Sequence, residues 1–401
     1  MSILFSQRSW GGLKAENYIP GRGFKANGVA AVTAETALRS SAVWACLRLR
    51  ADLISTMPLD AFRRLPNGTM VEVTKPPVLI TPGGEKVHVT EWLYSSQFDL
   101  DRHGNNFGLI TARDGAGNPA RIELVPVSDV TVRGHGSEIT EFKVSQKTYD
   151  PQLVWHEKQF TVPGLALGLS PVAYAAWSVG GYLSAQQFAL DWFAAEGHPA
   201  GTLRNTLEKQ ISPEVAEGAK ARFKAATANR DVFVTGSAWE YTPATADASS
   251  VAFLEQMKYG VTDVCRFFGV PADMIDAEGS STSITYANVT QRNLQFLVMN
   301  LGPAIIRREV ALSTLLPRPR FAKFATDAIL RMDPSTVVDS LKTEIEARIL
   351  APSEARELRN RAPFTDEQLS EFDRLFPPKP GSGMAPAGSQ PLPFENPGGT
   401  P

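Results

Sequence analysis

Asp99, Asp101 and His103 are the residues whose types and spacing most suggest chemistry. In "DLDRHGNNFGLI" they occupy the first, third and fifth positions of a calcium-type loop, and Gly104 stands at the sixth. The pattern fails at the twelfth position, where a bidentate carboxylate is needed and Ile110 stands instead. The stretch reads better as a helix end turning through His103-Gly104 into a strand. A metal-dependent nuclease built on these three residues is the enzymatic alternative.

Other catalytic equipment is missing. The five histidines, at 88, 103, 135, 156 and 198, are scattered, so a histidine general base has no identifiable partner. There is no G-x-x-x-x-G-K-[ST] phosphate loop, no H-E-x-x-H and no C-x-x-C. Cys46 and Cys265 lie far apart in segments that read as helix, which offers neither a disulfide framework nor a zinc cluster. No catalytic residue, metal or cofactor is therefore expected, and a structural or mechanical role is favoured. Two cysteines fit a reducing compartment, and "MSILFSQRSWGG" lacks the cationic start and cleavage site of a signal peptide. The N-x-T sequons at Asn67 and Asn288 are accordingly expected to be unmodified.

Charge is placed more tellingly than it is counted. The 40 basic and 42 acidic side chains leave a net charge of −2, whereas a protein gripping duplex DNA ordinarily carries a basic excess. "PADMIDAEGSSTSIT", Pro271 to Thr285, holds Asp273, Asp276 and Glu278 beside the small residues Gly279, Ser280, Ser281, Thr282 and Ser283, with no basic residue. The densest basic group, Lys220, Arg222 and Lys224, reads as a solvated helix face or as a contact for phosphate or a partner.

The elements that must hold these groups follow from periodicity. At 401 residues, 43% hydrophobic and 20% charged, the chain has the make-up of a globular protein of two or three compact parts. Residues 1–37 are Gly-rich and aperiodic, so an extended or loosely held arm is expected. "LRSSAVWACLRLRADLISTMP" offers Ser40 and Ser41 as caps and places Val43, Cys46, Leu47, Leu53 and Ile54 on one helical face. Residues 59–162 read as strands with one helix near Thr90 to Arg102, including a hairpin about Asp114-Gly115, where the turn favours positive φ. The class is α+β.

Three long helices are then expected. The first starts at Ser170-Pro171 and stops at Gly197, about 39 Å at ~1.5 Å per residue. That could cross a bilayer, making a membrane pore the other alternative, but Ser184, Gln186, Gln187 and Asp191 interrupt it and no cationic cluster flanks it. The second runs from Ser250 to Phe268. The third carries Leu294, Leu297, Leu301, Ile305 and Leu312 on a stripe and should kink at Gly302-Pro303. Between the first two lies a small module: strand "AGTLRN", a helix after Ser212-Pro213, and strands "DVFVTG" and "WEYTP". A strand in "FAKFATDAILRMD" precedes two helices beginning at Ser335 and Ser353, and residues 377–401, rich in Pro, Gly and Ser, should be disordered.

Five segments in this order resemble the phage portal protein family, in its branch from lambdoid long-tailed bacteriophages. They are "RSSAVWACLRLRADLISTMPLDAFRR", "HGNNFGLITARDGAGNPARIELVPVSDVTV", "LGLSPVAYAAW", "RFFGVPADMI" with the Ser/Thr-rich loop and "TYANVTQRNLQFL", and "ILAPSEARELRNRAPF". Together they cover about residues 38–364, and the termini follow no family pattern. The resemblance implies a ring, typically of twelve subunits, at one capsid vertex, through which double-stranded DNA is packaged and ejected and which joins head to tail. It implies a wing (38–170, rejoined by 284–332), two stem helices (171–197 and 249–268), a clip (198–248), a tunnel loop (269–283) and a crown (333–376). The acidic loop would face the channel. Lys220, Arg222 and Lys224 would lie in the clip, where the large terminase subunit or a head-tail adaptor protein docks. Major capsid or scaffold protein would be a further partner, and the virion, after assembly in the host cytoplasm, the location.

Overall fold

The computed structural model describes residues 9–16, 32–194, 201–206, 212–228, 239–243, 250–275, 286–326, 334–359 and 361–376. Two compact units divide the chain, 1–330 and 331–401.

The first unit opens with β1 (Ser9–Lys14) and α1 (Ala34–Ala37), whose start is closed by a capping box between Thr33 and Thr36. α2 (Ser41–Thr56) buries Val43, Cys46, Leu47, Arg50 and Ile54 on one helical face. Leu53 is only partly covered, and Ser40, expected as a cap, stands at the N-cap without a side-chain hydrogen bond. Next come β2 (Leu59–Arg64), β3 (Met70–Val73), α3 (Pro77–Ile80) and α4 (Val89–His103). α4 stops at Gly104, whose left-handed φ of 70° closes the helix; a Cβ there would lie 2.0 Å from the Leu169 carbonyl oxygen.

β4 (Asn105–Arg113) and β5 (Pro119–Val125) form the expected hairpin, with its positive φ at Gly117 (85°) rather than Gly115. The turn is five residues long because Asp114 Oδ1 accepts from the amides of Ala116 and Asn118, which moves the left-handed residue on by two. β6 (Val130–His135), β7 (Glu138–Val144), β8 (Lys147–Tyr149) and β9 (Val154–Lys158) follow. All pairing is antiparallel, in sheets ordered β1-β6-β7-β8 and β5-β4-β9. The N-terminal stretch, expected to be an extended or loosely held arm, thus contributes an edge strand. Its register shifts between Trp10 and Leu13, and this irregularity, across a Gly-Gly pair, removes the alternation by which a strand is read.

The first expected long helix is divided. α5 (Pro171–Tyr174) and α6 (Ala176–Ala194) meet at Ala175, whose ψ of −3° interrupts the helical path. Residues 195–200 lie outside the described region. β10 (Gly201–Asn205) and β11 (Trp239–Pro243) pair around α7 (Pro213–Ala228), while "DVFVTG" falls outside the described residues. α8 (Ser250–Phe268) has the expected bounds.

The third long helix contains three regimes: α9 (Tyr286–Gln295), a π-helical turn (Phe296–Leu301) and α10 (Gly302–Ser313). The Gly302 amide bonds back five residues to the Leu297 carbonyl, so Pro303 enters α10 in its first turn, where a missing N–H costs least. β12 (Arg320–Phe324) completes a third sheet, β12-β2-β3. One core joins α2, α4, α8, the π turn and α10 to that sheet; a smaller one, around Phe107, Val132, Phe142 and Leu167, fills the β4–β9 region.

The second unit contains α11 (Pro334–Glu346), α12 (Pro352–Leu358) and α13 (Asp366–Leu375), one helix more than expected.

Candidate functional site

α6 and α8 pack side by side. Gly260 lets them approach, since a Cβ there would already touch Tyr182 at 3.3 Å, and the Ser178 hydroxyl donates to Asp263 across the pair. A cleft of about 310 Å³ between them is lined by Trp177, Tyr182, Met257 and Tyr259. α8 buries Val264, Cys265 and Phe268 against the core. Cys265 Sγ comes within 3.9 Å of Cys46 Sγ on α2, a proximity that 219 residues of separation concealed. That neighbour, together with burial, pushes the Cys46 thiol far above its ordinary pKa, so it is no nucleophile.

The acidic loop leaves the end of α8 through a fixed root. Gly269 takes φ 61°, its carbonyl accepts from Asn300 Nδ2 at 2.8 Å, and the Val270 amide bonds to the Cys265 carbonyl. Ala272–Ile275 is a single 3-10 turn. Asp273 does not stand as a free acid: its Oδ2 lies 2.5 Å from Arg292 Nη1 on α9, so the loop's first carboxylate is neutralised from beyond the loop. Asp276, Glu278, Gly279, Ser280, Ser281, Thr282 and Ser283 lie outside the described residues. Both described ends of the loop are therefore tied to one another, by Asp273–Arg292 and Gly269–Asn300.

The basic group lies on α7. Lys220 is exposed and 3.5 Å from Glu217, Arg222 is exposed, and Lys224 follows one turn after Lys220.

Asp99, Asp101 and His103 do not form a metal site. Asp99 and His103 line one recess of about 390 Å³, with Glu16 and Glu35, but Asp101 is not among its walls. Arg50 grips Asp101 instead, Nε and Nη2 each 3.1 Å from a carboxylate oxygen, and Gln97 donates to it at 2.9 Å. All three are buried. Burial raises Asp99 to about 6 and lowers His103 to about 3. Among the described residues, no three His, Cys, Asp or Glu side chains are grouped to hold a metal ion.

A second buried ion pair escaped the sequence reading. Arg308 on α10, fully buried, reaches Glu157 on β9 at 2.5 Å and Ser96 on α4 at 2.6 Å. Burial pushes Glu157 up to about 7 against the pull of Arg308. Both arginines carried a signal: Arg50 stands at a position of the α2 apolar face, and Arg308 fills the gap between Ile305 and Leu312. Asn105 is a third anchor, with Nδ2 donating to the His103 and Gly168 carbonyls and Oδ1 accepting from the Gly168 amide. These pairs tie α2 to α4, α10 to α4 and β9, and the start of β4 to the Gly168 backbone, so each fastens one element to another. Among the described residues no helix is long and apolar enough to cross a membrane.

On its other side the third long helix is apolar and uncovered. Leu294, one of the residues expected on the stripe, is 46% exposed, and Val298, Met299, Ile306 and Val310 are between 58% and 70% exposed.

The family model described as phage portal protein matches residues 41–360. The probable portal protein of Streptomyces phage phiC31 is 26% identical over 360 residues, covering 84% of this chain and 77% of that one. The portal protein of Enterobacteria phage HK97 is 26% identical over 361 residues, with 84% and 82% covered. The crystal structure of an HK97 family phage portal protein from Corynebacterium diphtheriae has a TM-score of 0.60 at 20% identity, over 77% of this chain and 99% of that one. A chain in the neck of a native gene transfer agent particle, computed with C12 symmetry, has a TM-score of 0.54 at 18% identity, over 82% and 94%. Those structures share this fold. With the family match running from the first turn of α2 to just beyond α12, the chain belongs to the phage portal protein family.

Proposed function

We propose that this chain is the subunit of a ring-shaped channel at one capsid vertex, through which double-stranded DNA is packaged and ejected and to which the tail is joined. The family match across residues 41–360 carries this reading. The C12 symmetry of the gene transfer agent neck supports twelve subunits. The uncovered apolar row on the third long helix supports assembly, since a lone chain would leave it in water.

The physics of sliding agrees. Each neutralised phosphate adds a salt-sensitive attraction and hence a place to stick, so a channel needs a lining that is neutral to acidic. In this reading α6 and α8 are the stem wall, residues 198–248 the clip, 333–376 the crown, and the loop reaches toward the axis. Asp276 and Glu278 are its repelling charges, whereas Asp273 serves the root. No catalytic role is assigned to the chain. The ATPase comes from the large terminase subunit, which docks on the clip near Lys220, Arg222 and Lys224, as a head-tail adaptor does later. Major capsid or scaffold protein surrounds the ring, which is built in the host cytoplasm and ends in the virion.

Electron microscopy of the purified protein tests this directly. Rings with a central hole, at many multiples of 43.6 kDa, are expected, and a monodisperse monomer would overturn the reading. Deleting Glu278 to Ser283 should preserve the ring and impair packaging or DNA retention; loss of the ring would make the loop a structural joint instead.

A further inference from the structure

Within the 331–401 unit, α11 and α12 enclose a cup of about 540 Å³. Its apolar lining includes Leu341, Ile345, Ala355 and Phe364, and its charged lining is mostly cationic, with Lys342, Arg356, Arg359 and Arg361 against the single carboxylate of Glu346. Two of these cations are already occupied: Lys342 lies 3.9 Å from Glu346, and Arg356 donates to the Ala362 carbonyl while lying over the Phe364 ring. Among the described residues, Arg359 and Arg361 have no carboxylate within ion-pair distance.

The same unit ends in the surface such a cup would take. α13 is closed by a capping box between Thr365 and Gln368, yet none of its residues is buried. A ten-residue helix is marginal in water without a surface to cover it. Leu369, Phe372 and Phe376 recur at i, i+3 and i+7, 47%, 47% and 72% exposed. Asp366 and Asp373 flank that stripe on one side. Apolar stripe and acidic flank match apolar floor and mostly basic lining. α13 cannot turn back into its own cup without unwinding, because Phe364, itself part of the cup's lining, directly precedes the N-cap Thr365 and its ring centroid already lies 5.1 Å from that of Phe372.

We propose that α13 of one subunit seats its Leu369–Phe372–Phe376 stripe in the α11–α12 cup of the next, its carboxylates facing Arg359 and Arg361. Two different patches on one chain make a head-to-tail contact, the kind that generates a ring when its rotation closes. The inference rests on the ring reading only in taking the occupant to be a second copy.

Variants with one added cysteine each, beside the buried Cys46 and Cys265, test it in the assembled protein. Leu341→Cys and Leu369→Cys chains, mixed before assembly and oxidised, should give a covalent dimer that neither gives alone. The double variant should give a ladder of covalent multiples. Rings that form with no dimer from the mixture, or with only an internally linked monomer from the double variant, would overturn the docking while leaving the ring standing; absence of rings in the parent protein would overturn the ring reading itself. Arg359→Glu with Arg361→Glu should lower the cross-link yield about tenfold, and adding Asp366→Arg with Asp373→Arg should restore it. An unchanged yield, with weakened binding of the rings to duplex DNA, would assign the arginines to DNA and refute the proposal.

Discussion

Replacing Arg308 by Met removes a buried cation and leaves Glu157 facing the core, and the cost should depend on pH in a defined direction. Glu157 is held at about 7 in the folded protein against an ordinary 4.5. Between those values the folded state keeps a proton that the unfolded chain has lost, so this group makes stability fall as pH rises from about 4.5 to 7. Above about pH 7 the native protein ionises Glu157 beside Arg308 and its stability levels off. Without Arg308 the carboxyl has lost its nearest positive charge and stays protonated in the folded state, so stability keeps falling. The gap between the two proteins therefore opens above pH 7 by about 1.4 kcal/mol per pH unit, which makes ~0.4 kcal/mol at pH 7 and ~2.7 kcal/mol at pH 9. A pH-independent loss of about 1–3 kcal/mol adds to this, because the Ser96 hydroxyl no longer accepts from the Arg308 guanidinium and keeps only the bond it donates to the Leu93 carbonyl. Urea unfolding between pH 5 and 9 reads the effect through Trp155, two residues from Glu157 and stacked on Trp92 at 5.2 Å. Glu157→Gln combined with Arg308→Met should abolish the pH-dependent part. Parallel curves above pH 7, or a gap that widens toward acid, would refute the reasoning.

Other outcomes follow from single contacts. Gly168→Ala should prevent folding into soluble protein, because its Cβ would lie 2.2 Å from the carbonyl oxygens of both Gln159 and Gly104, whereas Gly115→Ala, with open space around it, should be neutral in the same solubility and melting assay. Arg292→Ala should change stability by only about 0–1 kcal/mol, as expected for an exposed pair, but should raise protease cleavage within residues 276–285; unchanged cleavage would show that Asp273–Arg292 does not hold the loop root.

What could be read from the sequence was whatever repeats. α8 was legible to its ends because Val264 and Phe268 lie in a continuous apolar stripe and Gly269-Val270-Pro271 stops it. α4, β2, β3 and the β4–β5 hairpin were legible for the same reason, and so were the helix and two described strands of the strand-helix-hairpin module and the long helix after the loop. β1 was hidden by its irregular register, and the π turn because one shifted hydrogen bond leaves the apolar stripe almost unchanged. α13 had a readable start in Thr365-x-x-Gln368, a capping box masked by its polar composition. For the site, periodicity treats every residue on an apolar face alike. Arg50 and Arg308 were legible only as interruptions of a stripe, and their partners Asp101 and Glu157 lie 51 and 151 residues away. Asp273 was read correctly as an acid but not as a paired one, since Arg292 is 19 residues further on, beyond the loop.

The third long helix has two readers. Its inner face answers to the chain itself: Arg308 is committed to Glu157 and Ser96, and Ile305 and Leu312 to the core. Its outer face, with Val298, Ile306 and Val310 more than half exposed, is left largely open by the described residues. Substitutions on the two faces are thus filtered by different events, the inner by whether one molecule folds and the outer by whether molecules meet. Inner positions can be screened one chain at a time, at any dilution. Outer positions are silent in such a screen and register only when concentration permits encounter, so the same helix can drift in its contacts while its fold stays fixed.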